Sequence, residues 1–329
     1  MATLPVGMPG DARMAFGQSR PLRWREMALF AVPLAALLTL AAAAALAFAA
    51  SGVAYDGGND LNQGLLLFAA VLVATMVARA MRGTTIVLSA VEGFALVALL
   101  SLAGQIASAA VAVGDAPLID PLLAAADRVL APGLDWPAMV AALGQHPRLH
   151  LALTYAYASL SWQPILFFVA SLRLGSVGAN VRFVSAYGMA LVLCVLPFHW
   201  LPALGPYPYY GIGAEDVPGA LIHLAWEAPA KLVLLRSGTV DAIGTDLLSG
   251  LICIPSFHAA GAVLMAMAFW NMRWLRWPML ALNVVMFAAA GPIGGHYYVD
   301  LIAGALVAVA VVAAVDRFGK RRPGTDNAV

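Results

Sequence analysis

Eight apolar runs decide what this chain can fold into. They cover residues 27–50, 61–81, 85–112, 149–172, 183–204, 257–272, 278–291 and 299–315. A helix needs about 20 apolar residues to cross a bilayer, with a lower limit near 17. The first five runs meet that length. The last three are shorter, because Arg273-Trp274-Leu275-Arg276-Trp277 and Gly291-Pro292-Ile293-Gly294-Gly295 divide one long stretch. The pattern predicts an all-α fold, a polytopic transmembrane helical bundle of about six to eight spans. Composition agrees: the chain is 62% hydrophobic and 11% charged, with mean hydropathy +0.86, whereas soluble domains carry about 25% charge. A net charge of +1 supplies no basic field for nucleic acid, which is excluded as a partner. The two cysteines, Cys194 and Cys253, both in apolar surroundings, read as small buried hydrophobes rather than a disulfide framework or a zinc site.

Charge sets the orientation. If every run crosses, with residues 1–26 cytosolic, the inside segments carry 14 of the 18 Lys and Arg residues, as the positive-inside rule requires. Only Arg128, Arg148, Lys231 and Arg236 fall outside, among eleven acidic residues. Both termini are then cytosolic. The domain reading is a tail over 1–26, one transmembrane catalytic domain over 27–315 with its motif-bearing core at 205–306, and a basic tail over 316–329. Run 27–50 far exceeds the 7–15 residues of a signal-peptide core and reads as a retained helix.

Two long outer loops show helical patterning of their own. Asp120-Pro121 gives a cap followed by proline, and Leu122, Leu123, Ala126, Val129 and Leu130 follow at one-face spacing, as in a helix lying in the membrane interface. A second short helix is expected from Asp135 to Gly144, and an interfacial one across Ala220–Trp226. These loops read either as a packed cap over the bundle or as the wall of a lipid-entry groove.

Two polar stretches interrupt the apolar frame. In Cys253-Ile254-Pro255-Ser256-Phe257-His258, Ser256 occupies an N-cap position before an apolar run. The helix N-terminus behind it offers unpaired amides and a positive dipole end to an anion, with His258 in its first turn as an acid. In Gly294-Gly295-His296-Tyr297-Tyr298-Val299-Asp300, His296 and Asp300 are four apart, one face of a helix. A carboxylate on one imidazole nitrogen would fix the tautomer and free the other nitrogen as a nucleophile. Gly294 and Gly295 allow a tight turn and close approach of a substrate. An apolar hairpin between the two stretches returns both histidines to the same, outer surface. Polar groups at such positions are costly unless used.

Pro255-Ser256-x-His258 and Gly295-His296-Tyr297-x-x-Asp300 resemble the second and third motifs of the type 2 phosphatidic acid phosphatase superfamily. The closer likeness is to the branch that contains fungal inositol phosphorylceramide synthase, in keeping with the continuation Asp300-Leu301-Ile302-Ala303-Gly304. The resemblance implies that His296 attacks phosphorus to form a phosphohistidine, that Asp300 orients it, and that His258 protonates the leaving oxygen. It implies no metal and no other cofactor. Two departures stand out: there is no upstream Lys and Arg-Pro motif, and Ala289-Ala290 replace the usual Ser-Arg pair. Arg236, and after it Lys231, are the candidates to supply the missing positive charge. Ser256, Gly295 and Tyr297 complete the expected substrate-binding set.

The function expected is a membrane-embedded lipid phosphoesterase or phosphotransferase. Its partners would be a phospholipid or lipid phosphate, sphingolipids included, and a polyol or lipid alcohol as acceptor. With water as acceptor it is a plain lipid phosphate phosphatase. A non-catalytic lipid-binding or transport protein is the competing class, but broken helices in two related halves and mid-membrane charges are not visible in the sequence. The setting expected is a bacterial inner membrane, with the site facing the periplasm.

Overall fold

The computed structural model describes residues 24–217 and 224–319. The expected tails therefore lie largely outside the described residues, as do residues 220–223 of the predicted interfacial segment. Among the described residues five helices are long and apolar enough to cross a membrane: Leu29–Ser51, Gly58–Arg82, Ile86–Ala112, Val177–His199 and Tyr298–Phe318. They belong to α1 (Trp24–Ser51), α2 (Gly58–Arg82), α3 (Ile86–Ala112), α8 (Val177–Val195, prolonged by a 3-10 turn to His199) and α13 (Tyr298–Gly319). Three shorter apolar helices, α7 (Gln163–Leu174), α11 (Phe257–Phe269) and α12 (Arg276–Ala289), complete the predicted set of eight runs. Run 149–172 is divided between α6 (Pro147–Ala158) and α7 by a 3-10 turn at Ser159–Ser161. Pro164, which has no amide, sits at the start of α7, so the helical ladder cannot run through. Ser159, Gln163 and Asn283 fill the break: Gln163 Nε2 donates to Ser159 Oγ (2.8 Å), and Asn283 Nδ2 donates to Gln163 Oε1 (2.9 Å). Gln163 is thus a helix-packing hydrogen bonder.

Helix α8 joins two groups. On one side α3 packs against α1, α2, α7 and α8; on the other α11 packs against α12, α13 and α8. The seam is aromatic. Phe183 meets Phe167 at 4.6 Å between ring centroids, Tyr187 meets Phe257 edge-on at 5.2 Å, and Phe167 meets Phe269 at 5.8 Å. Lipid tails are as apolar as these side chains, so close packing holds such helices together, and each aromatic pair adds about 0.5–1.5 kcal/mol.

The two ends of the bundle differ in charge. At one end Glu92 pairs with Arg79 at 3.0 Å and Arg182 pairs with Asp316. At the other end the predicted outer loops gather. There β1 (Ala54–Asp56) pairs in parallel with β2 (Ala242–Gly244), placing Tyr55 opposite Ile243. This pairing of two distant loops lies outside the all-α expectation, and the fully buried Ile243 anchors it.

Helix α5 (Trp136–Gly144) starts as predicted, with Asp135 accepting the Ala138 amide at 2.9 Å. Helix α4 (Asp120–Leu130) has the predicted position but an unpredicted inner face. Leu122, Val129 and Leu130 are exposed, whereas Asp120, Leu123, Ala124 and Asp127 are buried. The spacing 120, 123, 124, 127 is one helical face, and it turns two carboxylates inward. The one-turn helix α9 (Pro206–Tyr209) and α10 (Leu224–Leu235) close this end.

Candidate active site

Ser256 caps α11, accepting the Ala259 amide on its side chain at 3.3 Å and the Ala260 amide on its carbonyl. The Phe257 and His258 amides of that first turn have no acceptor among the described residues. The cap is fixed to α13: the Ser256 amide donates to the Asp300 carbonyl (3.1 Å), and a Cβ built on Gly304 would stand 2.1 Å from the Ser256 carbonyl oxygen. Only glycine permits that approach. Helix α11 therefore begins beside residues 300–304, about one turn below the first residue of α13, and the histidine in its first turn is recessed.

Helix α13 is capped by acids. Asp300 Oδ2 accepts the Tyr297 amide at 2.9 Å, the N3-to-cap half of a capping box. Asp127 of α4 takes the next two amides, Tyr298 on Oδ2 (3.0 Å) and Val299 on Oδ1 (2.9 Å), and also accepts the Trp136 indole N–H at 3.3 Å. Asp120 accepts the Leu204 amide on Oδ2 and the Gly205 amide and Tyr297 hydroxyl on Oδ1. The two ends of neighbouring helices thus differ: carboxylates occupy the N-terminus of α13, and the N-terminus of α11 stays open to an anion.

His296 precedes α13 rather than lying on it. Its Nδ1 is 3.1 Å from the Cys253 carbonyl and 3.8 Å from Asp300 Oδ2. The longer separation exceeds a hydrogen bond. The expected Asp300-to-His296 hydrogen bond is thus replaced by one to the main chain, because the Asp300 carboxylate is engaged by the Tyr297 amide and by the Cys253 thiol, 3.0 Å away. Asp300 is fully buried, and its Oδ1 has no partner among the described residues. A carbonyl only accepts, so this bond places the imidazole proton on Nδ1. Burial, helped by the Asp300 carboxylate, pushes the Cys253 thiol well above its usual range, so it stays a donor. Cys194 is the small buried hydrophobe expected; Cys253 is a polar member of the site.

His258 is held from its other side. The Tyr157 ring stacks on it at 4.0 Å and 10°, with the phenol oxygen 3.2 Å from Nδ1. Tyr157 is buried, and a Cβ on Gly294 would come within 2.9 Å of its hydroxyl. The main chain ties the two histidine stretches together, His296 to the Cys253 carbonyl and the Ser256 amide to the Asp300 carbonyl.

His296 opens onto a cleft of ≈ 340 Å³ lined by Gly294, Gly295, Cys253, Leu204, Ala225 and Leu232. Gly295 takes φ +68°, and a Cβ there would meet Ala225 at 3.1 Å, so the predicted tight turn brings its backbone to the wall of the cleft. A larger cavity of ≈ 510 Å³ lies at the other end of the bundle, bounded by Arg182 and Asp316, and contains neither histidine.

Four predicted binding residues lie away from the cleft lining, Ser256 among them as the fully buried cap of α11. Tyr297 is fully buried and turned into the protein toward Asp120; burial, then the neighbouring carboxylate, push its phenol well up. Lys231 is half-buried on α10, and Arg236, just past it, donates to the Ala116 carbonyl. Tyr157, Asp120, Asp127 and Cys253 were not singled out as site residues. Only the aspartates left a sequence signal, two acids seven apart in a helix whose one other charged residue is Arg128.

No characterised protein and no solved structure matches the chain. The profile of a protein family described as the PAP2 superfamily matches residues 122–314, from the first turn of α4 through most of α13. That span holds both histidines, Asp300, Tyr157 and Asp127 and exceeds half of the chain: it belongs to the PAP2 superfamily, a family of phosphatase-type enzymes, here in a membrane-helix frame.

Proposed function

We propose that this protein is a membrane lipid phosphoesterase or phosphotransferase working through a phosphohistidine on His296. One observation carries the reading: both imidazoles are held through Nδ1, His296 by the Cys253 carbonyl and His258 by the Tyr157 hydroxyl. With Nδ1–H bonded to a carbonyl, His296 Nε2 keeps its lone pair for attack. His258, kept as the imidazolium by the phosphate bound at the α11 N-terminus, donates its Nδ1–H to the Tyr157 oxygen and turns its Nε2–H to the leaving oxygen.

The first step forms the Nε2–P bond of His296 and breaks the bond from phosphorus to the leaving oxygen, which takes the Nε2 proton of His258. In the second step a water or alcohol oxygen attacks phosphorus, its proton passes to His258, and the P–N bond breaks. The phosphoryl oxygens are received at the α11 N-terminus by the Phe257 and His258 amides under the Ser256 cap. Asp300 stabilises positive charge on His296 through space, roughly at ion-pair distance, rather than by a hydrogen bond. Lys231 on α10 and Arg236 just past its end contribute only at the mouth. The substrate is a phospholipid or lipid phosphate, since the cleft wall is Ala225, Ala228 and Leu232.

A lipid alcohol or polyol as acceptor is supported by the likeness of Asp300–Gly304 to the inositol phosphorylceramide synthase branch. Placement on the non-cytoplasmic face, the periplasmic one in a bacterium, is supported by the site lying at the end opposite Arg79, Arg182, Arg273 and Arg276. The test is purified protein incubated with lipid phosphates and phospholipids, with and without inositol and other alcohols, products identified by mass spectrometry. Free phosphate marks water as acceptor; headgroup exchange marks transfer. His296→Ala should abolish both, and unchanged turnover in that variant overturns the mechanism.

A further inference from the structure

We propose that Cys253, His296 and Asp300 together bind a thiophilic divalent ion of the zinc class, and that this ion switches the enzyme off. One ligand atom from each, the thiol sulfur, a ring nitrogen and a carboxylate oxygen, lies within 4.8 Å of the other two, and all three residues are buried. The sulfur is 3.0 Å from Asp300 Oδ2, and His296 Nδ1 is 3.8 Å from the same oxygen. Tetrahedral zinc with bonds of about 2.3 Å to sulfur and 2.0–2.2 Å to nitrogen or oxygen sets its ligand atoms roughly 3.3–3.6 Å apart. Shifts of about an ångström or less convert the present cluster into that geometry.

A second observation points to a cation. Asp300 Oδ1 is fully enclosed and has no hydrogen-bond partner among the described residues, a costly state for a carboxylate oxygen. A metal ion would use it. One thiolate and one carboxylate also balance a dication, leaving no net charge in an apolar pocket. The sulfur and imidazole donors select zinc or cadmium over magnesium or calcium. The cleft that His296 and Cys253 line gives the ion a route in.

Inhibition follows from where the protons go, and this part rests on the proposed role of His296 as nucleophile. Binding releases the thiol proton to solvent. The Nδ1 lone pair goes to the metal, so the proton of the neutral imidazole moves to Nε2. The attacking lone pair is then gone.

Cadmium is the probe, because a Cd–thiolate bond absorbs in the ultraviolet independently of turnover. Full-length metal-free protein in detergent should take up one cadmium ion per chain with that band. Cys194→Ser should keep the band and Cys253→Ser should lose it. His296→Ala, which leaves the thiol in place, should weaken binding roughly tenfold or more. Zinc should inhibit lipid phosphate hydrolysis at a concentration about tenfold lower in the wild type than in Cys253→Ser, each measured against its own metal-free rate. Absence of the band in the wild type, or its survival in Cys253→Ser, overturns the site. A band in a protein that hydrolyses no lipid phosphate upholds the site and overturns the proposed function instead.

Discussion

Tyr157 lies flat against His258, with ring centroids 4.0 Å apart and the phenol oxygen 3.2 Å from Nδ1. The stack fixes the plane of the imidazole, and the phenol oxygen holds its Nδ1 so that Nε2 faces the leaving group. Tyr157→Phe keeps the first and removes the second. The lost hydrogen bond, about 1–1.5 kcal/mol, should lower kcat roughly tenfold and leave KM within about twofold, because the Tyr157 side chain lies behind the cleft wall and does not line it. The alkaline limb of the pH–rate profile, where His258 loses its proton, should move to lower pH as well, a readout that a mere packing role leaves fixed. Equal kcat in Tyr157→Phe and wild type would remove Tyr157 from proton delivery.

Asp127 joins an outer-loop helix to the start of the catalytic helix. Its carboxylate accepts the Tyr298 and Val299 amides and the Trp136 indole N–H. Asp127→Ala leaves those donors unpaired at a helix N-terminus, at a cost of about 2–3 kcal/mol. Thermal unfolding in detergent should show a midpoint lowered by roughly 5 °C or more. Asp127→Asn keeps one oxygen and should fall in between. An unchanged midpoint in the alanine variant would show that α13 does not depend on α4.

The helical frame was legible because apolar runs of spanning length admit few alternatives: all eight became helices. The cap at Ser256, the cap at Asp135 and the meeting of the two histidine stretches were legible for the same local reason, since caps and helix order are written in neighbouring residues. What failed was contact between distant segments. The 296-to-300 spacing suggested a direct hydrogen bond, but Asp300 spends its Oδ2 on the Tyr297 amide and the Cys253 thiol, and His296 turns to a carbonyl 43 residues earlier. Arg236 looked like a phosphate ligand on charge scarcity alone; its partner is the Ala116 carbonyl. The inward turn of α4 was hidden because apolar residues occupy its exposed face, the reverse of a soluble helix.

Gly304 lets α11 and α13 touch at the level of the site. A methyl group there would stand 2.1 Å from the Ser256 carbonyl oxygen and 3.1 Å from the Ala259 side chain. Since the nearest atom is backbone, Gly304→Ala must push the α11 cap away from α13. That shift carries His258 away from His296, and misplacement of about an ångström costs on the order of a hundredfold in rate. The variant should elute as a folded protein with helical circular dichroism but lose roughly two orders of magnitude in kcat. Activity within twofold of wild type would show that the contact is not needed to set the distance between the histidines.

Arg236 and Lys231 separate by the same measurement. Arg236 donates to the Ala116 carbonyl and so ties the end of α10 to the loop after α3; Lys231 is half-buried on α10 with no ion pair among the described residues. Arg236→Gln should therefore lower the thermal midpoint, by an amount set by one charge-assisted hydrogen bond of about 1.5–3 kcal/mol, with KM for a lipid phosphate changed less than about threefold. Lys231→Gln should leave the midpoint unchanged within roughly 0.5 kcal/mol, as for a surface substitution, and raise KM modestly at low salt if it steers the headgroup. A large rise in KM in Arg236→Gln with an unmoved midpoint would restore Arg236 as the phosphate ligand and remove the burden from the open amides of α11.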